Sequence, residues 1–294
     1  MTRWGIPEFG TRFVRNMLAE TKPRCFADLI RISGLSHGTN VWANNARDLI
    51  GNGIASLQEV ISSREDIFLH LMNRGIEPAH SFAIAERVRK GIPLTQEDID
   101  AMKAADIPDW YINSCAKITY LFPKAHAAAY VMNAFRIAYF KVHYPVAFAA
   151  AYFSFHGSSL SAPLMEQSEE EWIDFVERVN SSSGAKSKDQ EVASVLEVAL
   201  DMRRRGIRFG KPSLRRSQAV RYVPDGMSLI PPFTSIPGLG AAAAASIISA
   251  RNERDFTSIE DFRQRTKIGK KVIETLREFD VFEGIPDDDR LTLF

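Results

Sequence analysis

The chain has 294 residues, 45% of them hydrophobic and 25% charged, with a formal net charge of +1 at pH 7. That is a globular composition with length for two or three modest cores, and its near-neutral balance gives the whole molecule no field that draws nucleic acid or a membrane surface. Two cysteines, Cys25 and Cys115, stand far apart without a CxxC or a histidine-rich partner, which argues against a disulfide framework or a zinc site and fits a reducing cytosol.

No stretch approaches the ~18 consecutive apolar residues of a membrane span, and the N-terminus lacks a charged run followed by an apolar one. The expectation is a cytoplasmic protein with no membrane partner. Charge is uneven along the chain: residues 161–200 carry nine acids against three bases, and residues 201–222 one acid against eight bases.

Helical periodicity dominates the first half. Phe9, Phe13, Met17 and Leu18 recur at helical spacing, as do Leu57, Val60 and Ile61, then Ile67, Phe68, Leu71 and Met72. "SFAIAERVRKG" reads as a helix stopped by Gly91, with Arg87, Arg89 and Lys90 where cations suit a helix C-terminus. "LTQEDIDAMKAADIP" offers Thr95 as N-cap, acids in the first turn and Pro108 beyond the end. Residues 1–155 are therefore expected to form one helical region. Residues 156–234 read as a connecting region, with a Ser- and Glu-rich loop that includes Glu169, Glu170 and Glu171. Within it, "SQAVRYVPDGMSLIPPF" alternates around a Pro-Asp-Gly turn and predicts a short β-hairpin. A small helical unit over 235–284 and a tail over 285–294 complete a mainly α fold.

Several stretches carry possible chemistry. "RISGLSHGTNVW", residues 31–42, sets Ser33, Ser36, His37 and Thr39 around two glycines, a composition that suits phosphate oxygens. It matches neither the Walker A pattern nor the dinucleotide fingerprint. The sequence puts no acid beside Ser36 and His37 to complete a nucleophilic triad, and a capped turn accounts for the stretch more simply.

"YLFPKAHAAAYVMNAFRIAYFK", residues 120–141, predicts a helix with Pro123 at its first position, running to Tyr144. His126, Tyr130, Asn133, Ile137 and Lys141 share one stripe, and Val131, Met132, Phe135, Tyr139 and Val142 lie opposite. The free amides of the first turn, with Lys124 and His126, form an anion site suited to a phosphate. Spacing alone describes a buried, Ala-rich packing helix better.

The basic run Arg203, Arg204, Arg205, Arg208, Lys211, Arg215 and Arg216 is either a phosphate-facing surface or a solvated face. "SIPGLGAAAAASIISAR", residues 235–251, is more specific. An apolar-Pro-Gly-apolar-Gly turn opening directly into a helix is the pattern of a helix-hairpin-helix, in which Gly238, Leu239 and Gly240 let backbone amides reach DNA phosphates without reading sequence. "TKIGKKVIETLREFDVF", residues 266–282, looks like a degenerate second copy, with Gly269 in the turn and Lys267, Lys270 and Lys271 around it. A plain pair of antiparallel helices is the alternative.

The chain ends on Leu291, Leu293 and Phe294 after an acidic run, apolar residues that either anchor in a partner's pocket or fold back on their own domain. Two-metal phosphoryl transfer needs carboxylates gathered on shared ions. The clusters Glu97/Asp98/Asp100, Glu169–Glu171 and Asp287–Asp289 lack the look of such a set, so neither a catalytic centre nor a metal site is expected in this chain.

Taken together, "GIPEFGTRFV", "RISGLSHGT", "NRGIEP", "FPKAHAAAY", "RIAYFKVHYP", "SLIPPF", "IPGLG" and the "LTLF" end resemble the PolC-type alpha subunit of bacterial replicative DNA polymerase III. The resemblance runs in order over residues 5–294 and is weakest over 156–192. It implies a fingers region followed by a tandem helix-hairpin-helix, beginning just past the family's palm aspartates, and so a piece of a larger DNA-directed DNA polymerase that is inactive alone. It also implies Mg²⁺ in the full-length enzyme, on ligands outside this chain. Arg74, Lys124, His126 and Tyr130, with Ser33, Ser36 and His37, would face the incoming deoxynucleoside triphosphate. The hairpin residues would hold primer–template duplex.

Leu291, Leu293 and Phe294 would contact the sliding clamp, with Arg290 and Thr292 in place of the family's glutamine and serine. The palm and thumb of the same polymerase would be further partners. The rival readings are a stand-alone DNA- and clamp-binding protein and, more remotely, a hydrolase using Ser36 and His37.

Overall fold

Hydroxyl side chains set five of the helix starts. Thr11, Ser63, Thr95, Ser168 and Ser258 each accept a backbone N–H three residues on, and Asp66, Asp98 and Glu171 return the bond behind Ser63, Thr95 and Ser168 to complete capping boxes. The computed structural model describes residues 4–182 and 184–288. They fall into two units, one of Ile6–Ile137 and one of Trp4, Gly5 and the described residues from Ala138 onward.

The first unit contains α1 (Arg12–Thr21), α2 (Phe26–His37), α3 (Arg47–Gly51), α4 (Arg64–Asn73), α5 (Pro78–Arg89), α6 (Gln96–Ala104), α7 (Asp109–Lys117) and the start of α8 (Lys124–His143). Ile32, Leu35, Ile67, Leu71, Ile84 and Met102 are fully enclosed there. Leu57, Val60 and Ile61 are buried as expected but lie in a non-helical segment between α3 and α4. Apolar spacing marks which side chains face the core, and a compact turn meets that demand as well as a helix does. The stretch 31–42 is likewise no capped turn, because its residues through His37 are the second half of α2.

Glu86 of α5 ties this unit together. Arg64 donates to it at 2.9 Å and Arg89 at 2.9 and 3.0 Å. The Arg89 and Arg64 bonds take its carboxyl from the ordinary 4.5 down to about 2. A depressed carboxyl pKa adds stability that is fully present above 4.5 and is lost as pH falls toward 2. Glu86→Gln is therefore expected to destabilise the chain at neutral pH, with the gap to wild type closing over that acid window in denaturation curves.

The second unit continues α8 and adds α9 (Pro145–His156), α10 (Ala162–Glu166), α11 (Glu169–Ser181) and α12 (Ser187–Arg204). Glu169, Glu170 and Glu171 are therefore the first turn of a helix and not a loop. Carboxylates suit the positive end of the helix dipole, and Trp172, Val176 and Val179 are buried behind them at helical spacing. The polar connection shrinks to the few residues between α11 and α12.

The expected hairpin is present as β2 (Val223–Asp225) antiparallel to β3 (Ser228–Ile230), and β1 (Arg208–Phe209) adds a parallel strand on the other side of β3. Two residues of strand carry too little alternation to be read from sequence. Beyond the sheet, α13 (Ala241–Glu253), α14 (Ile259–Thr266) and α15 (Lys270–Glu278) enclose Phe233, Ile247, Phe262 and Leu276.

Candidate nucleic-acid interface

The two turns read as hairpins share one backbone design. Gly238 has φ +81° and Lys267, its counterpart, has φ +56°. Each is followed by a buried aliphatic, Leu239 or Ile268. Each then reaches an N-cap glycine, Gly240 with φ −74° and ψ 166° before α13, Gly269 with φ −69° and ψ 153° before α15. The helix that follows closes on the cap, with Ala244 N–H donating to the Gly240 carbonyl at 2.9 Å and Ile273 N–H to that of Gly269 at 3.2 Å.

Gly240 and Gly269 need no glycine for their own sake. Their φ values are open to any residue, and a Cβ built on either would meet nothing within 4 Å. Glycine there leaves the first amides of two helices bare to an approaching surface, the arrangement that binds phosphate oxygens. Around α15, Lys270 is exposed and 4.0 Å from Glu274, and Lys271 is exposed, so the cationic rim extends beyond the turn.

The basic run does not add to this surface as a block. Arg203 donates to the Met165 and Gln167 carbonyls at 2.9 and 2.8 Å and lies over the Trp172 ring. Arg204 pairs with Glu169, Arg205 with Asp201, Lys211 with Asp280 and Arg216 with Asp225, while Arg208 donates to the Arg203 carbonyl. Among the described residues of that run, Arg215 alone has no such partner. A charge count could not see this, because it ignores pairing: Asp201 lies one helical turn from Arg205, and Glu169 and Asp280 come from distant segments.

In the first unit, α8 begins at Lys124, so Pro123 is the residue just before the helix, its carbonyl taking the Ala127 N–H. The helix ends at His143, and Pro145 opens α9 instead of terminating α8. Its buried residues are Ala127, Val131, Ala134 and Lys141. The expected stripe therefore divides: Lys141 is 2% exposed, whereas His126, Tyr130 and Asn133 face solvent, as do Met132, Phe135, Tyr139 and Val142 on the other side.

Phe122 gathers the candidate residues. Its ring stacks on His37 at 4.7 Å and on Tyr130 at 6.2 Å, and meets His126 edge-on at 6.1 Å. His37 Nδ1 is 2.8 Å from the Ser33 carbonyl, which also takes the Ser36 hydroxyl at 2.9 Å. An acid does reach this histidine, contrary to the sequence expectation: Glu8 Oε2 is 3.1 Å from His37 Nε2. Ser36 Oγ also lies 3.0 Å from His37 Nδ1, but the Ser36 hydroxyl and Nδ1 share the Ser33 carbonyl, and an Nδ1 that donates to that carbonyl has no lone pair left to take the hydroxyl proton, so the set does not have the wiring of a hydrolytic triad. The Ser33 hydroxyl is buried without a partner.

Lys124 Nζ donates to Asp66 Oδ1 at 3.0 Å and its backbone N–H to Glu65 Oε2 at 3.2 Å. Burial would raise the Asp66 pKa, but Arg31, Ser62 and Lys124 outweigh it and hold the carboxyl below its ordinary value. Arg74, the C-cap of α4, shares no bond or ring contact with this group among the described residues. Phe122, Glu65 and Asp66 escaped the sequence reading of the site. Ser63 and Asp66 form the capping box of α4, and nothing local to that stretch says that a second helix shares its acids.

Among the described residues no three His, Cys, Asp or Glu side chains are grouped to hold a metal ion. No helix among those residues is long and apolar enough to cross a membrane. Leu291, Leu293 and Phe294, expected to contact a sliding clamp, lie outside the described residues.

Residues 2–106 match the family model of the bacterial DNA polymerase III alpha subunit finger domain, and residues 206–292 match that of a helix-hairpin-helix motif. The chain is similar to the PolC-type DNA polymerase III of Halalkalibacterium halodurans, 50% identical over 291 residues that make up 99% of this chain and 20% of that protein. It is 50% identical to the Bacillus subtilis protein, again over 99% of this chain and 20% of the relative, and 49% identical to that of Thermotoga maritima over 99% and 21%. The chain spans about a fifth of the length of the curated relatives it matches.

Proposed function

The chain is homologous to the C-terminal part of PolC-type DNA polymerase III, with its finger domain and helix-hairpin-helix motif, and from that premise we propose that it supplies nucleotide and duplex binding to template-directed DNA synthesis. Gly240 and Gly269 would present helix-start amides to the phosphates of a primer–template duplex, with Lys267, Lys270 and Lys271 adding charge. Such contacts hold duplex of any sequence, as a polymerase must.

The helical region up to about residue 155 would act as fingers. Lys124 and Arg74 would counter the charge of a deoxynucleoside triphosphate, Arg74 as a fork, while Tyr130 and His126, packed on Phe122, would wall in its sugar and base. Mg²⁺ and the carboxylates that hold it would be supplied by other parts of the polymerase, as would the attacking primer. The tail residues Leu291, Leu293 and Phe294 would reach the sliding clamp.

The carrying observation is the pair of N-cap glycines, which neither backbone angle nor packing requires. The test is fluorescence anisotropy of the 294-residue chain with a labelled primer–template duplex across a salt series. Asparagine caps a helix at least as well as glycine, so Gly240→Asn with Gly269→Asn keeps the fold and fills the approach. The wild type should bind with steep salt dependence and no sequence preference, and the double variant should lose about tenfold or more in affinity. Equal binding by a folded double variant would remove the hairpins from the DNA surface.

A further inference from the structure

The start of α8 is already occupied by an anion of the protein's own. Two adjacent carboxylates of α4 attend Lys124, and they are held very differently. Asp66 is anchored: its side chain is 8% exposed and takes the Ser62 N–H, the Ser62 hydroxyl and the Ser63 N–H, besides Arg31 and the Lys124 ammonium. Glu65 is 28% exposed and receives no backbone N–H beyond that of Lys124. Its other oxygen, Oε1, is held by Arg64 Nη2 at 2.9 Å, and Arg64 is itself tied to Glu86.

We propose that Glu65 is a resident stand-in for a phosphate oxygen: its carboxylate fills the α8 amide that an incoming triphosphate would use, and it must give way for that ligand to seat. The proposal rests on the nucleotide-facing reading of Lys124 given above. The geometry provides both halves of the exchange. Oε2 is on the amide while Oε1 is on Arg64, so releasing the amide leaves the carboxylate tethered to a cation and not stranded. Asp66 stays in place and keeps Lys124 at the helix start throughout. Glu65 thereby lowers the affinity of the site for triphosphate, and it keeps the Lys124 amide satisfied when no ligand is bound.

The test uses the full chain and inorganic triphosphate, titrated at low salt by calorimetry. Glu65→Gln removes the charge and keeps a carbonyl oxygen for the Lys124 amide, so the helix start remains capped, which a melting curve checks. Glu65→Gln should bind triphosphate about threefold to tenfold more tightly than wild type, with the gain shrinking in high salt. Lys124→Ala should weaken binding. Glu97→Gln, an exposed acid on α6, should leave affinity unchanged.

Wild-type binding with no tightening in Glu65→Gln, or an equal gain in Glu97→Gln, overturns the stand-in role and leaves the nucleotide reading intact. If neither wild type nor Glu65→Gln binds triphosphate while the chain still binds duplex, the nucleotide reading fails and this inference fails with it.

Discussion

Lys141→Ala is expected to cost about 3–5 kcal/mol, the range measured when one partner of a buried pair is removed. The Lys141 ammonium sits 2.7 Å from Asp201 Oδ2 with 2% of its side chain exposed, donates to the Trp4 carbonyl and lies 5.6 Å from the Phe148 ring centre. Taking the lysine away leaves the Asp201 carboxylate in the interior without its shortest ion pair, with Arg205 3.3 Å off. Chemical denaturation should show the loss as a lower midpoint. A change below about 1 kcal/mol, the size of a surface pair, would mean that the contacts Asp201 keeps are enough to satisfy it.

Gly34→Ala should destabilise the other unit by about 1–3 kcal/mol or more, the cost of overpacking, although alanine is the better helix former by about 1 kcal/mol. A Cβ on Gly34 would stand 2.4 Å from the Ser62 carbonyl oxygen and 3.2 Å from the Ser62 carbonyl carbon, both backbone atoms. One of the two segments must move. Ser62 is also a donor to Asp66, and Asp66 holds Lys124, so the disturbance reaches the start of α8. Thermal unfolding checks the sign directly: a stabilised variant would show that α2 can retreat from Ser62 freely.

The start of α6 was legible because its cause is local. Thr95 and Asp98 sit three residues apart, and the cap they predict is the cap that forms. The hairpin over Val223–Ile230 was equally legible, since its turn residues and alternation are contiguous. The helix-hairpin-helix was readable for the same reason: five consecutive residues, Ile236 to Gly240, carry the turn, the buried anchor and the bare cap.

Reading failed where two segments had to be known together. Glu8 reaches His37 across almost thirty residues, and Glu65 reaches the Lys124 amide across almost sixty. Lys141 is charged and lies on the stripe of His126 and Tyr130, so its burial follows from Asp201 and from nothing nearby. The same holds for two members of the basic run, Arg204 and Lys211, which pair with the distant Glu169 and Asp280.

The sequence by itself therefore determined the mainly α class, the start of α6, the hairpin and the twin glycine turns, because capping, turn geometry and apolar period act over a few residues. The tertiary structure decided which charges remain available to a ligand and which are spent inside. Ion pairing depends on distances between segments, and burial makes an unpaired charge too costly to leave alone. At the start of α8 both levels meet: a local rule leaves its amides open, and only the fold brings Glu65 to one of them.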